Sequence, residues 1–156
     1  MKERCEVPGE AVETTQATVL FADMRGYTAI AERLPPARVV PLLDEFFRVL
    51  GCATEAHGGE VFHMAGDGMM AGFGVREPGR HRAREALSAG HAMLVGFGSV
   101  AARWQSEMSI VAGIGVGLHM GEVALGLVVA VGQNNSRAGT RQRRHLPLKR
   151  VNGRWC

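Results

Sequence analysis

Ala17-Thr18-Val19-Leu20-Phe21-Ala22-Asp23-Met24-Arg25-Gly26-Tyr27-Thr28 is the stretch on which the fold of this chain turns. Ala17 to Ala22 is a short apolar, β-prone run of the kind that forms a buried central strand. The run ends at a carboxylate, Asp23, and the turn from Arg25 to Thr28 leads into a helix. A second carboxylate repeats the arrangement. In His63-Met64-Ala65-Gly66-Asp67-Gly68, Asp67 follows another strand-like run and stands between two glycines. Carboxylates at a sheet edge, beside free backbone N–H groups, suit a hard divalent cation carrying a polyphosphate.

Outward from these points the elements follow in order. After the turn, a short helix runs to Leu34, and Pro35-Pro36 breaks it and opens the next helix. Val39, Leu43, Phe46, Phe47 and Leu50 form its apolar stripe, and Gly58-Gly59 ends it. Glu60 to Met64 and Met69 to Phe73 are two strands joined as a hairpin by Gly66-Asp67-Gly68. A third helix is expected from His81 to about Gln105, with Ala83, Leu87, Met93 or Leu94, Phe97, Val100 and Trp104 on its inner face. Gly90, Gly96 and Gly98 weaken it, so packing must hold it. Ser109 to Leu118 reads as a strand with Gly113, Gly115 and Gly117 on one face, and Glu122 to Val131 as a further strand. The fold class expected is α+β with a ferredoxin-like βααββαβ order, incomplete at the C-terminus. Residues 1–16 are expected to be a polar leader or linker, 17–131 the domain, and 132–156 a disordered tail.

Bulk properties bound the function. A chain of 156 residues with 46% apolar content is one domain with a real core. Its three cysteines, Cys5, Cys52 and Cys156, are scattered and fit neither a disulfide framework nor a zinc site, which points to a reducing, cytoplasmic setting. No stretch is long enough for a membrane span, and the N-terminus does not read as a signal peptide. The net charge of +3 conceals an asymmetry: residues 132–156 hold six Arg, one Lys and no acid, so the rest is mildly acidic. Seven tail charges can hold phosphates electrostatically, but the tail contains one aromatic, Trp155, and no recognisable module. No specific nucleic acid is expected as a partner.

Taken singly, Asp67 is a hairpin-turn residue and Asp23 the cap of the following helix. Taken together they demand more. A β-α-β-β arrangement can bring the two strand ends side by side, and adjacent carboxylates repel unless a cation sits between them. Gly26-Tyr27-Thr28 offers backbone N–H groups to phosphate oxygens, although no P-loop sequence is present. The Gly113/Gly115/Gly117 repeat lies within a strand and is not a dinucleotide fingerprint. His57, His81 and His91 read as solvated helix or turn residues, and His119 as a packing residue at a strand end.

Four segments together resemble the catalytic domain of class III adenylate/guanylate cyclases: Phe21 to Thr28, Gly58-Gly59-Glu60-Val61, Gly66-Asp67-Gly68 through Gly74, and Gly115 to Val123. The resemblance covers about Thr18 to Leu127. It implies two Mg²⁺ or Mn²⁺ ions held by Asp23 and Asp67, with the Met24 backbone carbonyl as a further ligand. Phosphates would lie on Arg25, Gly26, Tyr27 and Thr28. ATP, in preference to GTP, would be cyclised to the 3′,5′-cyclic nucleotide with release of pyrophosphate, for intracellular signalling. His63, four residues before Asp67, takes the position where the family places a base-reading Lys or Glu, and it assigns neither purine; alternatively it simply fills an inward strand position.

The same resemblance implies a composite site, with metal aspartates from one protomer and base-reading, Asn and Arg groups from the other, in a homodimer or heterodimer. No Asn-x-x-x-Arg in a helical, apolar setting follows the Gly-Glu-Val strand here. That departure has the look of a truncated or frameshifted gene after about residue 128, and a homodimer of this chain is expected to be nearly inactive. Pairing with an intact cyclase domain would complete one site. The alternative is a cyclase-like module that binds a partner or nucleotide without turnover.

Overall fold

The computed structural model describes residues 13–76 and 81–125. Seven elements follow the chain: β1 (Glu13–Arg25), α1 (Tyr27–Arg33), α2 (Pro36–Ala56), β2 (Glu60–Ala65), β3 (Gly68–Phe73), α3 (Ala83–Met108) and β4 (Gly113–Leu125). The strands form one antiparallel sheet in the order β2-β3-β1-β4. This is the α+β, βααββαβ arrangement expected. Among the described residues no helix is long and apolar enough to cross a membrane.

Alternation along β1 divides the sheet into a helix-covered face and an open one. Leu20, Ala22 and Met24 are buried under the helices, as are Met69, Ala71 and Phe73 of β3. Phe21, Asp23 and Arg25 point to the open side and are exposed. α2 begins with Pro at its first position and buries Val39, Leu42, Phe46, Leu50 and Ala53 at helical spacing. Leu43 and Phe47 flank this stripe, packed against the core but partly exposed.

α3 turns Met93, Phe97 and Trp104 inward and packs Val100 against the core as expected, but Ala83 and Leu87 of its first turns face outward. Ala86, Ala89, Gly90, Met93, Phe97 and Trp104 are buried, whereas Leu87 and Leu94 are 63% and 46% exposed. Small residues explain the difference, because they let the helix axis approach the sheet. A Cβ on Gly90 would lie 3.2 Å from Cγ1 of Val116 on β4, and one on Gly96 3.0 Å from Cγ1 of Val49 on α2. Packing therefore offsets the low helix propensity of these two glycines. Phe46, Phe97 and Trp104 meet edge-on, with centroids 5.0 and 5.5 Å apart, and form the seam between α2 and α3.

Three strand boundaries differ from expectation. β1 starts at Glu13, inside the stretch taken as leader, and pairs along its whole length with β4. Its first residues are polar because Thr14 and Gln16 are exposed, so hydropathy does not mark the strand. β1 also continues past Asp23 to Arg25. The two strands expected after α3 are one: Met120 and Gly121 keep their pairing with Thr18 and Ala17, so no turn interrupts β4. The His119 ring fills the space beside Gly121, with Nε2 3.4 Å from where a Cβ would stand, so this histidine lies within the strand. Residues 126–131 of the expected last strand, the leader before Glu13 and the basic tail lie outside the described residues.

Candidate active site

The antiparallel register brings the two aspartates to one end of the sheet. Asp23 stands opposite Gly68, and the next backbone N–H, that of Met24, donates to the carbonyl of Asp67 at 3.0 Å. Local chemistry forces each into place. Gly26 adopts φ +87°, and a Cβ there would sit 3.0 Å from the carbonyl of Val111, so only glycine turns β1 into α1 at this point. Gly66, at φ +59°, supplies the left-handed residue that closes the β2–β3 hairpin beside Asp67.

Asp23 is exposed on the open face and Asp67 is half-buried in the turn. Among the described residues neither carboxylate has a hydrogen-bond or ion-pair partner. Oxygen donors of this kind suit Mg²⁺ or Mn²⁺ better than a softer metal. Among the described residues no group of three or more His, Cys, Asp or Glu is placed to hold a metal on its own. Any cation at this end would thus take most of its shell from ligand oxygens and water, as Mg²⁺ does in polyphosphate sites.

Arg25 joins this cluster and His63 does not. Arg25 follows Asp23 by two residues on the same open face. Its guanidinium lies across β4, where a Cβ on Gly115 would be 2.7 Å from Nε. Of the turn residues expected to contact phosphate, Gly26 and Thr28 are exposed and Tyr27 packs partly against the core. No side chain caps the start of α1. His63 is exposed in β2 opposite Met70, which itself pairs with Phe21. That puts it on the open face, two strands from Asp23 and one row further along the sheet. It does not fill an inward position. A bulge between Val61 and His63 shifts the strand's phase, and the Phe62 ring covers Gly72.

The remaining histidines stand elsewhere. His57 Nδ1 donates to the Ala53 carbonyl at 2.8 Å, closing α2. His81, expected to be solvated, is half-buried, and its backbone carbonyl accepts from Thr18 Oγ1 at 2.7 Å. An open groove of about 860 Å³ on the helix layer is lined by His57, Leu87, His91 and Val95. It contains no carboxylate and is not the site at the strand ends.

Residues 10–136 match the family of adenylate and guanylate cyclase catalytic domains. The chain belongs to that family. An adenylate cyclase of Anabaena cylindrica is 29% identical over 131 residues, covering 76% of this chain. The chain spans only 23% of that relative's length. The crystal structure of the adenylyl cyclase CyaB from P. aeruginosa superposes with a TM-score of 0.72 at 24% identity, covering 78% of this chain and 63% of that one. A guanylyl cyclase crystal structure gives a TM-score of 0.71 at 26% identity, covering 80% and 63%. The cyclase fold is thus shared with structures named for either purine. The antiparallel pairing of β1 with β3 is the feature of this cyclase domain that puts Asp23 beside Asp67.

Proposed function

We propose that this cyclase domain is one half of a composite site, in which Asp23 and Asp67 hold two Mg²⁺ or Mn²⁺ ions against the triphosphate of ATP. A single observation carries the reading: the hydrogen bond from Met24 N–H to the Asp67 carbonyl, 3.0 Å long, which locks the two carboxylate-bearing strand ends together. Bound there, the ions would neutralise the triphosphate and lower the pKa of the ribose 3′-OH. In the cyclisation, the 3′-OH gives its proton to water, the bond from the 3′-oxygen to the α-phosphorus forms and the bond from the α-phosphorus to the α,β-bridging oxygen breaks. Pyrophosphate leaves with that electron pair. Asp23 and Asp67 fix where this happens, and the Met24 carbonyl is the further oxygen donor within reach of the same strand end. ATP is favoured because adenylate cyclases stand among the similar relatives. A cytoplasmic role in signalling belongs to the same reading.

The second half of the site comes from another cyclase domain. Phe21 and Phe62 leave 53% and 38% of their surfaces exposed on the open side of the sheet, which supports a protein partner there. The resemblance assigns base-reading, Asn and Arg groups to that partner, and this chain alone is expected to give little product.

The test is complementation. The chain is mixed with an intact class III domain lacking its own metal aspartates, with Mn²⁺ and either ATP or GTP, and the products are separated by chromatography. Cyclic AMP is expected, and it should disappear with Asp23→Asn. Cyclic GMP instead would reassign the purine. No product from either nucleotide would favour a module without turnover.

A further inference from the structure

We propose that the outer face of α3 is a dimerisation surface, on which a second copy of this chain lays its own α3 antiparallel. Residues 87–102 contain no Asp, Glu, Lys or Arg. Roughly four turns of helix therefore carry no full charge on any side. A helix that covers a sheet from outside ordinarily turns charged and polar residues to solvent. Here Leu87, Leu94 and Val95 leave 63%, 46% and 59% of their surfaces exposed. His91, Gly98 and Ala102 are exposed too, and their spacing puts them on the same side of the helix. The open groove beside His57 runs along Leu87, His91 and Val95 of this face.

Gly98 points to a partner that comes close. Glycine is a weak helix former, and Gly90 and Gly96 are explained by tight packing inside the chain. A Cβ on Gly98 would instead meet open space, with nothing among the described residues within 4 Å beyond its own helix backbone. Size then decides which partner fits and in which direction. The face is bulky at its N-terminal end, at Leu87 and His91, aliphatic in the middle, at Leu94 and Val95, and small at its C-terminal end, at Gly98 and Ala102. A twofold axis near Leu94 and Val95 turns the bulky end of one copy onto the small end of the other. Parallel pairing would set Leu87 against Leu87 and leave a gap between two Gly98 residues. The antiparallel arrangement also brings Arg84 of each copy beside the carbonyl-rich C-terminal end of the facing helix, where a cation is favoured. This surface lies on the helix layer, across the sheet from Asp23 and Phe21. The inference is therefore independent of the composite site, and two copies joined back to back each keep the open face free.

Sedimentation equilibrium on the whole chain, without metal or nucleotide, tests this. The wild-type chain is expected to dimerise reversibly in the micromolar range, as befits an interface at the small end of the usual sizes. Leu94→Glu places a carboxylate at the axis in both copies and should weaken the dimer by about a hundredfold or more. Its helical circular dichroism should be unchanged, because Leu94 lies outside the core. Leu87→Ala and Gly98→Leu should each weaken the dimer about tenfold, and the two together should restore most of the wild-type affinity. That rescue occurs only where position 87 of one copy faces position 98 of the other. Phe21→Glu, on the open face of the sheet, should leave the association as it is. A wild-type chain that stays monomeric, or a Leu94→Glu chain that associates as the wild type does, would overturn the proposal. Association lost in Phe21→Glu and kept in Leu94→Glu would assign the contact to the open face, and additive losses in the double variant would overturn the antiparallel arrangement. Each of these outcomes leaves the metal reading of Asp23 and Asp67 standing, since no metal is present in the measurement.

Discussion

Gly59 shows how tightly single positions are constrained behind the site. A Cβ there would lie 2.5 Å from the Phe73 ring and 2.8 Å from the Thr54 methyl, and Phe73 is fully buried. The ring has no room to retreat. Gly59→Ala is expected to destabilise the fold by about 1–3 kcal/mol through overpacking, read as a lower urea midpoint at unchanged slope. The next residue, Glu60, accepts two hydrogen bonds from Arg76, at 2.7 and 2.6 Å. The guanidinium holds the Glu60 carboxyl below its ordinary value of 4.5. A lowered carboxylate stabilises the fold fully above its unfolded value and loses that contribution as pH falls through the folded one. Melting curves of the chain and of Glu60→Gln should therefore differ by a constant at neutral pH and converge under acid. Divergence on acidification would refute the assignment. At this scale the two aspartates were legible, because glycine and a β-prone run mark each of them. The Arg25–Gly115 contact was not, since it depends on a strand register between residues ninety positions apart.

The seam between α2 and α3 carries the helix layer. Phe97 is fully buried between Phe46 and Trp104, so Phe97→Ala is expected to cost about 3–5 kcal/mol and to be visible in chemical denaturation. Trp104 adds a polar requirement, because its buried indole N–H donates to Glu45 Oε2 at 2.9 Å. Glu45→Ala leaves that donor unpaired and should cost about 1–3 kcal/mol, while Glu45→Gln keeps an acceptor and should cost less. Equal losses in the two variants would show that the indole bond is not the cause. The helices were readable from periodicity; in α2 Val39, Phe46 and Leu50 are buried as expected, while Leu42 takes the inner place expected of Leu43. The inner face of α3 was read correctly at Met93, Phe97 and Trp104 but not in its first turns, because Ala86, Ala89 and Gly90 carry little hydropathy and act by letting the helix come close. β4 was split in two for a related reason: Gly121 reads as a break, yet the pairing to β1 runs through it.

Across the described residues as a whole, topology decides where the two carboxylates stand. The order β2-β3-β1-β4 puts the carboxylates where β1 and β3 end, on a sheet whose other face is filled by helices. Leu118 and Met120 of β4 remain 41% and 55% exposed on the helix-facing side, although Leu118 Cδ1 lies 3.9 Å from where a Cβ on Gly90 of α3 would stand. The matched part covers 63% of each of the two solved cyclase structures. Family and fold were legible in four short motifs. The central claim is that Asp23 and Asp67 act on one shared metal–triphosphate unit. It is tested most directly by calorimetric binding of α,β-methylene-ATP with Mn²⁺ to the wild-type chain, Asp23→Asn, Asp67→Asn and the double variant. The account predicts that each single substitution removes nearly as much affinity as both together, since residues serving one metal–triphosphate unit are not additive. Wild-type affinity in either single variant, or two independent losses that add, would contradict it.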